Sequence, residues 1–178
     1  KAKIDELDPE FYRPGDLKKL LNGADEEIRP VIALCGLAGM RTAEALKISW
    51  EEVFKRADYV SIEARIAKGD NKRLVKCCNA LKAWLEPYRS RKGKVWGLSE
   101  KHYHGCFNAL RKKQKIDSIK NGLRHAWATY HFALWGEEST AQQAGHDKNI
   151  LHGHYKGLAT DKEARAWFEV MPRSKDLE

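Results

Sequence analysis

The chain has 178 residues, of which 42% are hydrophobic and 33% charged, which suits one domain with a sizeable core and is too apolar for a disordered segment. Lysine plus arginine outnumber the acids 33 to 25, a formal charge of +8 that favours polyanionic partners over acidic or neutral ones. There is no apolar run of the roughly 18–20 residues a membrane span needs, KAKIDELDPEF lacks a signal-peptide core, and Cys35, Cys77, Cys78 and Cys106 make neither a CxxC pair nor a disulfide framework, so no membrane contact and a reducing, cytoplasmic setting are expected.

Residues 1–13 read as a linker. Pro14-Gly15-Asp16 predicts a turn with Asp16 capping a short helix through Leu21, ended by Asn22-Gly23. Ile28, Val31, Ile32 and Cys35 then recur at helical spacing up to Gly36. After a break at Gly39, a third helix is expected from Thr42 to about Ile48, which places Arg41 at a helix start. Between Tyr59 and Ile66 the pattern changes to YVSIEARI, where Val60, Ile62, Ala64 and Ile66 alternate with polar residues as in a half-buried strand. KGDNK makes a turn and Arg73 to Cys77 supplies a returning strand. Lys68 is therefore expected at the tip of a β-hairpin, from which a long amine reaches into a neighbouring groove. Helices follow from Asn79 to Leu85, Ser99 to about Lys113 and Gly122 to Trp135, then shorter pieces. Tyr103, Cys106, Phe107 and Leu110 form the apolar stripe of the second of these, and Leu123, Trp127, Tyr130 and Leu134 that of the third. The fold class is α+β, mainly α-helical with a small antiparallel β-sheet. Residues 14–172 form the domain and 173–178 a tail, whose closing Leu177-Glu178 reads as a cloning scar.

The chemistry-bearing residues fall in one order: Arg41 in GLAGMRTAEALKISW, Lys68 in AKGDNKR, Arg124 in NGLRHAWATYH, His146 in QQAGH and Tyr155 in HGHYKGL. Gly39, Arg41, Glu44 and Trp50 form one local pattern. Asn-x-Leu-Arg-His, then Ala-Gly-His, then Tyr155 nine residues after His146 form a second. On these motifs the chain from about Pro14 to Pro172 resembles the catalytic domain of tyrosine recombinases, the phage-integrase family. The family usually has His where Asn121 stands, and an amide cannot exchange a proton near neutral pH. His125 is a poor substitute on this reading, since successive helical residues point about 100° apart.

The resemblance implies metal-free DNA transesterification. Tyr155 attacks the scissile phosphate to give a 3′-phosphotyrosyl link, while Arg41 and Arg124 hold the non-bridging oxygens and Glu44 orients Arg41. Lys68 protonates the departing 5′ oxygen. His146 bonds a non-bridging oxygen or steers the tyrosine proton, and Asn121 fills the remaining pocket position. Double-stranded DNA is the implied substrate. Four protomers on two sites are the implied assembly, with Ala164, Trp167 and Phe168 packing on a neighbour, and a DNA-gripping core-binding domain usually precedes this one.

Lys72 and Arg73 at the hairpin, and Arg111, Lys112 and Lys113 within RKKQK, are candidate DNA contacts, as is the RSRKGK run from Arg89 to Lys94. Solvated helix ends are the alternative. The face carrying His104, Asn108 and Lys112 is a candidate to look into a groove. The pairs His102/His104 and His152/His154 lack further ligands in register, so neither metal nor cofactor is expected. Two other functions stay open: a DNA-binding or regulatory relative that has lost cutting, which Asn121 suggests, and a type IB topoisomerase.

Overall fold

The computed structural model describes residues 10–67, 72–145 and 155–173. Among them the helices are α1 (Pro14–Gly23), α2 (Arg29–Leu37), α3 (Thr42–Ala45), α4 (Trp50–Val53), α5 (Asn79–Leu85), α6 (Glu100–Lys113), α7 (Gly122–Ala144) and α8 (Asp161–Phe168). The strands are β1 (Tyr59–Ile62) and β2 (Arg73–Lys76), one antiparallel pair in which Val60 faces Val75 and Ile62 faces Arg73. The expected α+β architecture, mainly helical with a small sheet, is the observed one.

The core is built around α2, whose residues from Pro30 to Leu37 are all buried. A helix apolar on every side has to be covered on every side, and α1, α5 and α7 do this. The carboxy-terminal α8 closes the packing against α1 and α7. Ala164, Trp167 and Phe168 therefore pack on their own chain, which corrects the expectation that they reach a neighbour. Trp167 is fully buried, stacks on Tyr130 and donates its indole N–H to the Gly36 carbonyl at 2.8 Å.

Local chemistry moves several boundaries. Arg13 occupies the cap position of α1, and Asp16 sits three residues inside, where its carboxylate accepts the Arg13 amide at 3.0 Å. The helix after Arg41 lasts one turn, and the next, α4, is started by Ser49 and Glu52 in a reciprocal capping box. Strand β1 stops at Ile62 because the Ile66 and Ala67 amides bond back to the Glu63 carbonyl and begin a turn there. The hairpin tip with Lys68 lies outside the described residues. Trp135 ends a helical run as expected, but Gly136, at φ 76° and ψ 179°, only kinks α7, which resumes to Ala144. Among the described residues no helix is long and apolar enough to cross a membrane.

Candidate active site

Arg41 stands at the cap of α3, where Glu44 fixes both its ends: the carboxylate accepts the Arg41 amide at 2.9 Å and its Nη1 at 3.0 Å. Glu44 is 1% exposed. Isolated burial would drive it neutral, and burial does push its pKa upward. The bonds and charge of Arg73, then the amide and charge of Arg41, more than offset this and hold Glu44 down at about 2. Arg73 grips it bidentately, Nη1 to Oε1 at 3.0 Å and Nη2 to Oε2 at 2.6 Å, and sends Nε to the Gln143 carbonyl at 2.9 Å. The expectation that Arg73 contacts DNA is thereby corrected, because its side chain is 4% exposed and its guanidinium faces inward. Alternation along β2 carries that signal, since Arg73 shares its face with buried Val75.

Arg124 enters from the first turn of α7. Its Nη2 donates to the Ala144 carbonyl at 2.7 Å and its Nη1 to the Gly39 carbonyl. Gly39 can offer that carbonyl only as glycine: its φ is +60°, and a Cβ there would lie 2.2 Å from the Trp127 ring. Burial, then the charges of Arg41 and Arg73, lower the Arg124 pKa to about 9, with Glu44 and Tyr155 pulling the other way. At neutral pH it keeps its charge.

Tyr155 is 4% exposed, and its hydroxyl lies 2.6 Å from Nδ1 of His125. Burial raises the phenol pKa and the charge of Arg124 counteracts it. Arg41, Arg124 and His125 line one wall of a cleft of about 870 Å³, together with Thr42 and Asn121. The facing wall is α6, through Tyr103, His104, Phe107 and Asn108. Tyr155 reaches this cleft through its contact with His125.

The sequence matches no family model and no curated protein. Solved structures do match. The XerA recombinase crystal structure superposes at a TM-score of 0.70 over 97% of this chain and 67% of its own, with 18% identity. A lambda integrase fragment bound as a dimer to a COC′ core site gives 0.65 over 90% of this chain and 64% of its own, with 15% identity. The catalytic domain of bacteriophage HP1 integrase gives 0.64 over 84% and 91%, with 18% identity. This chain has the tyrosine recombinase catalytic-domain fold. It spans about two thirds of the XerA and lambda integrase chains.

Within that tyrosine recombinase fold, Arg41, Glu44, Arg124 and Tyr155 come together, while Lys68 and His146 lie outside the described residues. Asn121 lines the cleft in a left-handed conformation, φ 54° and ψ 22°, just ahead of α7, and its side chain makes no capping bond. The residue that sequence reasoning set aside is His125. The rotation of about 100° between neighbours is the reason it matters: Arg124 turns inward to the Gly39 and Ala144 carbonyls, while His125 turns to Tyr155. Arg111 also departs from expectation, since Nη1 donates to the Ile116 carbonyl at 2.7 Å and closes the end of α6. Lys72, Lys112 and Lys113 are exposed, and so are His104 and Asn108 on the cleft wall. In the RSRKGK run, Arg89 pairs with Glu86 and Arg91 with Glu26, and Arg89, Lys92 and Lys94 are exposed.

Proposed function

We propose that this domain cuts and rejoins double-stranded DNA in an integrase-like, site-specific recombination through a covalent bond to Tyr155. The observation that carries this reading is the Tyr155 hydroxyl held 2.6 Å from the His125 imidazole and within the field of the buried Arg124. A tyrosine titrates near 10, so a nucleophilic phenol needs a base within reach and a cation nearby. His125 and Arg124 are those two groups.

In the reaction, the Tyr155 oxygen forms a bond to phosphorus as its proton passes to His125 Nδ1, and the bond from phosphorus to the 5′ oxygen breaks. Lys68 supplies the proton that makes the leaving group a hydroxyl, and His146 bonds a non-bridging oxygen. Arg41 presents its guanidinium from the cleft wall to the same phosphate, and Arg124 adds its charge from behind. The resulting 3′-phosphotyrosyl link keeps the bond energy, so a 5′-hydroxyl from another strand reverses the step. Because Tyr155 is 4% exposed, attack requires it to move toward the cleft. Exposed Lys72, Lys112 and Lys113 would grip the flanking backbone. Lambda integrase forms a dimer on a core site and a tetramer on a Holliday junction, and the same assembly of protomers on DNA is proposed for this chain.

The test is a covalent protein–DNA band on a denaturing gel after incubation with a nicked suicide duplex that the protein binds. Wild type is expected to give the band and Tyr155→Phe none. Absence of the band on a duplex the protein demonstrably binds would move the reading to a DNA-binding relative that has lost cutting, the reading the amide at Asn121 favours. Relaxation of supercoiled DNA with no such site would indicate a type IB topoisomerase.

A further inference from the structure

We propose that Arg73 is a positioning residue, whose buried guanidinium sets the orientation of Arg41 through Glu44 and fixes the end of α7 just ahead of His146. The inference rests on the cutting function proposed above, but its geometry stands apart from it. Glu44 makes four bonds, two from Arg73 and two from Arg41. With both oxygens so occupied, the plane of the carboxylate is set by the bidentate grip of Arg73, and that plane sets where Arg41 points. Arg41 is the exposed member of the network, with 25% of its side chain accessible, and the described residues give its Nε and Nη2 no partner. Those donors remain for a phosphate.

At its other edge, Arg73 Nε holds the Gln143 carbonyl, and Arg124 holds the carbonyl of Ala144 next to it. Two cations thus satisfy successive carbonyls in the last turn of α7, groups that have no partner within the helix. Gly145 follows at φ +65°, where a Cβ would stand 3.2 Å from Arg73 Cδ. One planar group therefore sets the register of three segments: the α3 start with Arg41, the hairpin arm β2, and the end of α7. Lysine offers a point charge and cannot reproduce this fork.

The experiment compares wild type, Arg73→Lys, Arg41→Lys and the double variant in single-turnover cleavage of suicide DNA at saturating protein. Arg73→Lys is expected to lower the melting temperature by several degrees while leaving the domain folded at the assay temperature and DNA affinity within about twofold, and to slow covalent-band formation by about 10- to 100-fold, the scale of a misplaced contact. In the Arg41→Lys background the same change is expected to cost less than about threefold, because what it orients has already gone. Equal losses in both backgrounds, or a loss confined to DNA affinity, would overturn the proposal. Should Arg73→Lys not fold, Arg73→Gln, which keeps the Glu44–Arg41 ion pair, takes its place with the same expectations. A wild type that makes no covalent band sinks the cutting function alone. The positioning is then read by NMR of the arginine guanidinium groups, where wild type is expected to show resolved Arg41 Nη protons and Arg73→Lys to merge them, and resolved signals in the variant would refute it.

Discussion

Two polar sites are buried around Trp127, and they solve the same problem in opposite ways. On one, the backbone of Gly39 packs against the indole and its carbonyl receives Arg124, beside the ion cluster of Glu44, Arg73 and Arg41. On the other, His131 lies 4.6 Å from the Trp127 ring, 4.5 Å from Trp135 and edge-on to Phe168. Glu44 and His131 are both nearly inaccessible. Glu44 stays charged because two guanidinium groups face it, whereas burial lowers the His131 pKa to about 3 and keeps it neutral. Burial raises the stakes, and the partner on offer decides the protonation state. Only the charged site adjoins the cleft, so charge is kept inside the protein where the proposed chemistry needs it.

The sharpest way to break this contrast is to remove the partner of a buried charge. Glu44→Ala leaves the Arg73 guanidinium enclosed with the Gln143 carbonyl as its remaining acceptor, and a loss of about 3–5 kcal/mol is expected in urea unfolding at neutral pH. A loss below about 1 kcal/mol would show that water reaches Arg73 freely, and the buried-ion account of the site would fail.

Acid separates the two sites by pH. His131 has a folded pKa near 3 against an ordinary 6.5, so the unfolded chain takes up a proton first and stability drains as pH falls from 6.5 toward 3. This amounts to roughly 5 kcal/mol. Glu44, near 2 against 4.5, contributes fully above pH 4.5 and loses its contribution between there and 2, roughly 3 kcal/mol. Urea midpoints measured between pH 7 and pH 5 are thus expected to fall in wild type and to flatten in His131→Asn, with Glu44→Gln leaving that range unchanged. An unaltered slope in His131→Asn would place the titrating group elsewhere.

Gly39→Ala strikes both sites through the ring they share. The added carbon meets Trp127 at 2.2 Å on a left-handed backbone, and about 2–3 kcal/mol is the expected cost in thermal unfolding, with a change in tryptophan fluorescence. A melting temperature equal to wild type would mean that the Trp127 ring shifts freely and that the two sites are not tied together.

Much of this arrangement was legible in the sequence, and the limits have physical causes. The stripes through Tyr103 and Trp127 located α6 and α7, because periodicity reports which face is buried. Glycine marked the break before Arg41, although the Trp127 ring that requires it is distant in sequence. A cation in a basic turn is usually solvated, and for Arg73 only the alternation with Val75 speaks for burial. The direction of His125 keeps it out of the position of Asn121, and its partner Tyr155 lies 30 residues away, where no local spacing signals the contact. The site at His131 was not legible at all, since its partner Thr140 lies nine residues on, beyond the kink at Gly136, and no helical spacing pairs them.

The smallest expected effect tests the neutral site in the same way as Glu44→Ala tests the charged one. The Thr140 hydroxyl donates to the Gly136 carbonyl at 2.7 Å, so its oxygen must accept from His131 Nδ1 at 2.7 Å, which fixes the imidazole with its proton on Nδ1. Thr140→Val keeps the volume and removes the acceptor, leaving one buried neutral N–H and one carbonyl short of a bond, at an expected cost of about 1–2 kcal/mol. Measured at pH 8, where His131 is neutral both folded and unfolded, that cost contains no titration. It should stay well below that of Glu44→Ala, because an unpaired dipole is cheaper to bury than an unpaired ion. If the two losses were equal, the charge at Glu44 would be incidental and the cleft side of Trp127 would be held together by shape alone.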